Sequence, residues 1–497
     1  MKENIPRDIL NSIVSEVAYG GGSDPQPSGQ HDVRALCLVS KSCVPACQDV
    51  LFNTITLQSD KIVEGGEILG ASNYTSRFSA LIAGSPHIGT YVRSLTYRIM
   101  EWDASDISKP EVTFALEQLR NVVQLTLLVD EAPRDSRMFW SSTCFKMLNS
   151  DHFHRFPRHA HAVKAILELP TLQSLTLRGI EMPSSIMLKI TGLECLELQR
   201  SCIIPLRGQE AEGPGRPIRL KTLKLDADAS NFILAVILRT LWSPNRFGIS
   251  FIYLEKLSIA VGPPVDGDND QDEDSDEEEQ RQPAYATSDV LRRTMALKEL
   301  HLYDYFPVPS TLEYSTSPLQ DLHRASRITL KKLSYNIRMS MGAEDTSIQD
   351  IYHSFLKNGA TTALTNLDEL DISIWIGGHV YALEVDARLR EALGELDTVL
   401  NQGLASSLTK VRLAIALSTE LAASWAVREL KDTVETRVYE MAFPQLRERA
   451  RQGGLNFTLE AELDRSDTAS SDEEEEDEEG LAEDESEEEL TEDQDEE

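Results

Sequence analysis

Residues 92–413 repeat one pattern of apolar and polar positions, L-x-x-L-x-L with conservative replacements. The alternation in its second half predicts a short β-strand, because successive side chains of a strand point to opposite faces. The first apolar residue precedes the strand and is expected to pack beneath it. The pattern occurs at 122–127, 172–177, 193–198, 220–225, 254–259, 297–302, 330–335, 367–372 and 408–413, with 92–97 as a further candidate.

The copies start about 20 to 50 residues apart. One such unit cannot bury its apolar face alone, whereas stacked neighbours bury a continuous core. We therefore predict an α/β fold in which residues 61–464 form an irregular solenoid, similar to leucine-rich repeats, with a parallel sheet. The uneven spacing favours a twisted array over a regular horseshoe. The alternative is a set of unrelated amphipathic strands in a leucine-rich protein.

The end of the repeat region has a different pattern. Helical periodicity at 383–402 and 419–451 predicts helices, and the alternation at 455–463 predicts a last strand. We expect this region to cap the open end of the solenoid, which would otherwise expose core side chains.

The first 57 residues predict helices rather than repeats. Apolar residues recur at helical spacing over 5–19 and again over 32–43, and a third helix is expected from Pro45. The composition of 20–30 predicts a flexible loop. Residues 52–57, FNTITL, alternate as a strand does.

The charge of the chain is concentrated in two segments. The formal net charge is −34, but residues 266–279 hold ten carboxylates without a base and residues 467–497 hold twenty more. Removing these thirty from −34 leaves about −4 for the rest of the chain. Runs of like charge repel and bury little apolar surface, so we expect an insertion at 264–284 and a tail at 465–497 to be disordered.

Composition also narrows the class of protein. Six cysteines without CxxC pairs favour reduced thiols over a disulfide scaffold. The longest apolar run, 232–238, is far shorter than the ~20 residues that cross a bilayer. No P-loop, GxSxG or dinucleotide-binding fingerprint is present. We expect a cytoplasmic or nuclear, non-catalytic protein that needs no cofactor and binds no membrane.

Two stretches contain the residues of a known module: IPRDILNSIV (5–14) and DVRALCLVSKSCVPACQDVLFNTITL (32–57). They resemble the F-box of the proteins that mushroom-forming fungi have in large numbers, and 78–97 resembles the segment that follows it there. The chain departs from that family in two ways. Cys43 stands where the family usually has Trp, and the 20–30 loop is longer. The alternative is a three-helix module without an adaptor.

The resemblance implies a domain at 1–60 that binds a Skp-type adaptor and, through it, a cullin. The chain would then be the substrate receptor of a Skp–cullin–F-box ubiquitin ligase. Some of the matching apolar residues must hold the helices together, and one sequence does not say which. The candidates for adaptor contact are Ile5, Pro6, Ile9, Leu10, Ile13, Leu36, Val39, Leu51 and Phe52.

A client protein is expected to bind the repeats through their outward strand positions. These positions are mixed in charge, unlike the clustered Lys and Arg of a nucleic-acid surface, so no direct nucleic-acid partner is expected. The candidates are Arg178, Glu197, Lys224, Asp226, His301, Tyr303, Asp371 and Arg412. At each position the alternative is a solvated surface residue.

Two stretches resemble metal sites, but neither predicts one. The acidic insertion matches a calcium loop at alternate positions, but Gln271 stands where a glycine must turn. Four histidines have spacing that could bind a metal, yet such a stretch is more often a polar loop that leads into a helix. They are His152, His154, His159 and His161.

The acidic segments suggest a second function. Hydroxyl residues that precede carboxylates suit acid-directed kinases. They are Ser275, Ser470, Ser471, Ser486 and Thr491. Repeats followed by a carboxylate tail also resemble acidic leucine-rich nuclear phosphoproteins. The second hypothesis is therefore a scaffold or chaperone for basic proteins such as histones, and a plain solubilising tail is the alternative.

Overall fold

A computed structural model describes part of the chain. The described residues are 7–19, 27–58, 74–99, 109–129, 157–199, 201–204, 218–225, 242–243, 246–247, 249–261, 283–304, 318–340, 364–377, 394, 397–398, 401, 407–418 and 443–464. The 264–284 insertion, apart from its last two residues, and the 465–497 tail lie outside them, as do most of 383–402 and most of 419–451.

The described residues contain ten α-helices. They are α1 (Arg7–Tyr19), α2 (Pro27–Val39), α3 (Val44–Leu51), α4 (Tyr74–Gly84), α5 (Pro110–Glu117), α6 (Pro157–Leu167), α7 (Ser184–Met187), α8 (Pro283–Arg293), α9 (Arg324–Thr329) and α10 (Pro444–Arg451). Short 3₁₀ helices span Pro86–Thr90 and Pro318–Asp321.

A parallel sheet of twelve strands dominates the fold. In order across the sheet and along the chain, these are β1 (Thr54–Gln58), β2 (Ser94–Ile99), β3 (Gln124–Val129), β4 (Ser174–Arg178), β5 (Cys195–Gln199), β6 (Thr222–Leu225), β7 (Lys256–Val261), β8 (Glu299–Asp304), β9 (Lys332–Ser340), β10 (Glu369–Gly377), β11 (Lys410–Ser418) and β12 (Asn456–Asp464). The predicted α/β class with a parallel sheet is confirmed.

Three short strand pairs lie outside the large sheet. Glu181–Pro183 pairs with Cys202–Ile204 and Ile218–Arg219 with Ile249–Ser250, both in parallel. Trp242–Ser243 pairs with Arg246–Phe247 in antiparallel fashion.

The apolar pattern explains where the strands form. Each of the ten predicted copies contains a strand that begins at its third residue. In the copy at 297–302, Leu297, Leu300 and Leu302 are all buried, and the other copies bury the same three positions. Burying one leucine contributes roughly 1.5–3 kcal/mol. Because neighbouring strands share these positions, the buried residues merge into one continuous core.

Backbone hydrogen bonds align one copy with the next just before each strand. The N–H groups of Lys298 and Glu299 both donate to the Glu255 carbonyl, at 2.8 and 3.0 Å. Lys331 and Lys332 donate in the same way to the Lys298 carbonyl, at 2.8 and 3.0 Å. This arrangement fixes the register, so equivalent residues of successive copies lie side by side.

The N-terminal region differs from its prediction in the second helix. Helix α2 begins at Pro27, inside the predicted 20–30 loop, and ends at Val39 rather than at residue 43. Proline is tolerated in a first helical turn because its missing N–H would have no intrahelical partner there. A turn follows α2, in which the Cys43 N–H donates to the Ser40 carbonyl at 3.0 Å. Pro45 then lies in the first turn of α3, as expected.

Phe52 belongs to the repeats as well as to the end of the helical region. Residues 52–57, FNTITL, form one more copy of the pattern, and β1 again begins at its third residue. The half-buried Phe52 ring packs against the core of the sheet, together with Ile55. The first repeat therefore follows directly from α3.

Candidate functional site

Helices α1, α2 and α3 enclose a small core of their own. Its buried members are distinct from the core of the large sheet. They are Leu10, Val14, Ala18, Val33, Ala46 and Cys47. We call residues 7–51 the helical module, because these three helices pack mainly on one another.

Among the described side chains of the helical module, four large apolar ones are exposed. Ile9 and Ile13, one turn apart on α1, are 51% and 47% exposed. Leu38 and Val39, at the end of α2, are 89% and 76% exposed. We call these four side chains the module apolar surface. Exposed aliphatic side chains that adjoin, as within each of these two pairs, are candidates for a surface that binds a protein.

The nine predicted adaptor residues fall into four groups. Ile9, Ile13 and Val39 are exposed. Leu10 is buried in the module core, where Leu36 and Leu51 are half-buried against it. Phe52 packs on the core of the sheet. Ile5 and Pro6 lie outside the described residues.

Leu38 was not among the predicted residues. The sequence signal was present, because Leu38 and Val39 are adjacent apolar residues on a helix. Neighbouring helix positions are 100° apart, so the two side chains cannot both point to the centre of one apolar stripe.

Three thiols line the interior of the helical module. Cys47 is buried, and Cys37 and Cys43 are half-buried against the same core. Burial, followed by interaction with Cys37, raises the pKa of the Cys47 thiol to about 12. This thiol is therefore protonated at neutral pH and serves as a small core residue. Cys43 occupies a core position that a Trp would fill with a much larger group.

The outward face of the sheet carries polar residues in straight rows across the strands. One row, which we call the central row, contains one residue from each of the twelve strands of the large sheet. It runs Thr56, Thr96, Thr126, Thr176, Glu197, Lys224, Ser258, His301, Ser334, Asp371, Arg412 and Thr458.

The central row brings together most of the predicted client residues. They are Glu197, Lys224, His301, Asp371 and Arg412. Arg178 and Tyr303 lie two residues further along their strands, in the next outward row. Asp226 lies outside the described residues.

The two ends of the central row differ in chemistry. Strands β1 to β4 contribute four threonines, whereas most residues from β5 onward are charged or imidazole side chains. The threonine part was not predicted. Its signal was the fifth position of the repeat, which reads Thr in successive copies.

Most charges of the outward face are paired with one another. Lys224 Nζ lies 3.4 Å from Glu197 Oε2, and Lys256 Nζ lies 2.8 Å from Glu299 Oε1. Lys332 Nζ is 3.6 Å from Glu369 Oε2. Exposed pairs of this kind contribute about 0–1 kcal/mol each to stability. Their main effect is to leave little net charge for attracting a partner over long range.

Arg412 and His301 are held differently from the other members of the row. The Arg412 guanidinium donates to Glu460 Oε2 at 2.5 Å and lies 3.5 Å from Asp371 Oδ2. Burial of the ring, and then the positive charge of Lys332, lower the pKa of His301. His301 is therefore neutral at physiological pH.

A second group of exposed apolar residues lies at the start of three successive copies. Ile252, Met295 and Ile328 each stand two residues before the first buried leucine of their copy, at Leu254, Leu297 and Leu330. Each of the three is between 43% and 52% exposed. Sequence reasoning missed this group because the L-x-x-L-x-L pattern starts two residues later.

The predicted histidine cluster is divided by the fold. His159 is buried on α6, with its Nε2 3.4 Å from the Tyr97 hydroxyl, whereas His161 is exposed. His152, His154 and the acidic insertion around Gln271 lie outside the described residues. Within the described ranges, no three His, Cys, Asp or Glu side chains are grouped as metal ligands.

The predicted phosphorylation residues also lie outside the described part of the chain. They are Ser275, Ser470, Ser471, Ser486 and Thr491. No helix among the described residues is both long and apolar enough to cross a membrane.

Comparison with known proteins assigns no relative. No protein-family model matches the chain, and no curated protein matches it either.

Proposed function

We propose that this protein is the substrate receptor of a Skp–cullin–F-box ubiquitin ligase. The observation that carries the proposal is the module apolar surface, four exposed aliphatic side chains on a helical module that has its own core. The F-box resemblance of residues 5–57 agrees with it. A stable docking surface needs apolar side chains that the fold itself does not use, and these four meet that condition.

The helical module would bind the Skp-type adaptor through Ile9, Ile13, Leu38 and Val39. Leu10 and Phe52 are left out of this surface, because Leu10 is buried in the module core and Phe52 packs on the core of the sheet. Ile5 and Pro6 remain candidates for contact on the strength of the resemblance alone. The adaptor would connect the chain to a cullin.

The outward face of the sheet would bind the client protein. It presents hydroxyl, imidazole, amide and charged side chains on rigid, neighbouring strands. No catalytic step is assigned to this chain. Its contribution is proximity, since holding a client near the transferring enzyme raises the effective concentration of the reacting groups.

A binding measurement with purified Skp-type adaptor tests the proposal. The full chain is expected to bind, and the double variant Ile9→Asp, Ile13→Asp is expected to bind at least tenfold more weakly, because two carboxylates would have to be desolvated. Ile328→Asp is the matched control, since Ile328 is 52% exposed but lies on helix α9, in the repeat region. Equal adaptor binding by all three proteins, or none by the unmodified chain, would remove the proposal.

A second function, a scaffold for basic proteins such as histones, is favoured by a separate observation. Residues 467–497 hold twenty carboxylates and no Lys or Arg. Such a segment attracts basic partners in a salt-dependent way. Replacing 467–497 by a Gly/Ser segment of equal length should reduce binding to core histones at about 0.15 M salt. Unchanged histone binding would rule this function out without affecting the first one.

A further inference from the structure

The central row contains a buried polar position that the protein itself does not satisfy. Ser334 is only 7% exposed, and its Oγ has no hydrogen-bond partner among the described residues. On the adjacent strand, the buried Asp371 Oδ1 also lacks a partner there. Buried polar atoms are nearly always hydrogen-bonded, so two unpartnered neighbours in one row need an explanation.

The contact that Asp371 makes through its other carboxylate oxygen does not provide a partner for Oδ1. Asp371 Oδ2 lies 3.5 Å from Arg412 Nη1. Arg412 directs its shorter hydrogen bond, 2.5 Å, to Glu460 instead. Arg412 is thus held on the far side of Asp371 and leaves Oδ1 unmet.

His301, the neighbour of Ser334 on the side away from Asp371, does not supply a positive charge either. His301 lies beside Ser334 in the central row, and burial keeps its imidazole neutral by lowering its pKa. Lys332, two residues before Ser334 on β9, lies 3.6 Å from Glu369. His301 therefore carries no charge here, and Lys332 and Arg412 each pair with a glutamate, Glu369 and Glu460 respectively.

We propose that Ser334 and Asp371, with His301 beside them, form a subsite that receives a lysine or arginine side chain of the client protein. This subsite is called the Ser334 subsite. The inference rests on the proposed client-binding role of the sheet face and specifies which chemistry the client presents there.

The donor and acceptor inventory supports a cation. An ionised carboxylate oxygen accepts hydrogen bonds and donates none, so the ligand must bring a donor. An ammonium or guanidinium has several donors and can serve Asp371 Oδ1 and Ser334 Oγ together. An anionic group is disfavoured by the Asp371 charge. A neutral amide would offer donors without the charge, so the experiment must separate it from a cation.

Small side-chain analogues provide the probes. The chain has ten histidines, so ring ¹⁵N spectra of a histidine-labelled sample are tractable, and His301→Gln assigns the His301 signal. The probes are n-butylammonium for lysine, ethylguanidinium for arginine, and butyramide as the neutral amide. The titrations are made on the full chain at pH 8, where His301 stays neutral.

Both cations are expected to shift the His301 ring signal in a saturable way. They should bind at least tenfold more tightly than butyramide. Asp371→Asn should weaken the binding of both cations at least tenfold, because it removes the negative charge. Ser334→Val should do the same independently, since it fills the position with a β-branched residue that strands accommodate. Two controls should bind as the unmodified chain does: Asp368→Asn, which changes a carboxylate just before the same strand, and Thr126→Val, which changes the threonine part of the row.

Three results would overturn the inference. These are no saturable shift, an equal response to butyramide, and cation binding that survives both Asp371→Asn and Ser334→Val. The first would mean that solvent water alone occupies the subsite. Thermal unfolding of each variant confirms that it is folded before it is titrated. Adaptor binding plays no part in this experiment, so failure of the adaptor measurement and failure of the subsite are distinguishable.

Discussion

Asp397 holds the start of helix α10 by accepting a hydrogen bond from Leu446, 49 residues away in the sequence. The Leu446 backbone N–H donates to Asp397 Oδ1 at 2.9 Å, and the Gln445 N–H donates to Oδ2 at 2.9 Å. The first N–H groups of a helix have no partner within it, and a carboxylate at that end also faces the positive pole of the helix dipole. The buried Asp397 therefore ties the start of α10 to a position that precedes β11 in the sequence.

Asp397→Ala is expected to lower the free energy of unfolding by about 1.5–3 kcal/mol, the usual worth of hydrogen bonds to a charged group. Urea unfolding followed by circular dichroism measures this. Asp397→Asn keeps one acceptor and should lose less. Equal losses in the two variants would contradict this expectation, because Asn keeps the size of Asp and one of its acceptor oxygens.

Leu297 and Met295 form a matched pair, two residues apart in one copy. Leu297 is fully buried and Met295 is 43% exposed. Leu297→Ala should cost about 2–5 kcal/mol of stability, because it removes apolar contacts and leaves a cavity. Met295→Ala should stay within about 0.5 kcal/mol, as surface changes usually do. Denaturant midpoints compare the two variants, and a large loss for Met295→Ala would mean that its side chain is covered.

Cys43→Trp tests whether the helical module is adapted to a small residue. The surrounding core consists of modest side chains such as Val33, Ala46 and Cys47. Inserting an indole should destabilise the chain by about 1–3 kcal/mol through overpacking. Cys43→Val, which is close in volume, serves as the control. A more stable Trp variant would instead reveal room for the ring that the resembling family carries.

His301 should make stability depend on pH. Its folded pKa is lowered, by burial first and then by Lys332, against a reference of about 6.5. As the pH falls through the interval between these two pKa values, the unfolded chain binds the proton first, so stability decreases. Above the reference pKa the contribution is fully present.

The His301→Gln variant removes this titration. Between pH 7.5 and 5.5, the unmodified chain is expected to lose more unfolding free energy than His301→Gln, as measured by urea unfolding at each pH. His161→Gln, at an exposed histidine, is the matched control. Parallel curves for the unmodified chain and His301→Gln would contradict the expectation.

The repeat pattern predicted the strands well because its signal is local. Leu300 and Leu302 alternate with His301, so a strand is the conformation that buries both leucines on one face. Each predicted copy accordingly contains a strand beginning at its third residue. The prediction from composition was wrong at residues 27–30, which were assigned to a loop but begin helix α2.

The candidate surfaces were predictable only in part. Ile9, Ile13 and Val39 were named from helical spacing and the F-box resemblance, but spacing alone did not separate them from the buried Leu10. Burial depends on which face of a helix its neighbours pack against, and the sequence of a single helix does not contain that information. Phe52 shows the same limit, since its ring packs on the sheet core rather than outward.

By itself, the sequence determined the strands, the apolar face of each repeat and the acidic segments, because alternation and charge are properties of neighbouring residues. Only the tertiary structure decided that Ser334 lies between His301 and Asp371, residues from three separate copies. The reason is physical: strand register is set by hydrogen bonds between copies. The loops that join the copies differ in length, so sequence distance does not reveal which side chains become neighbours.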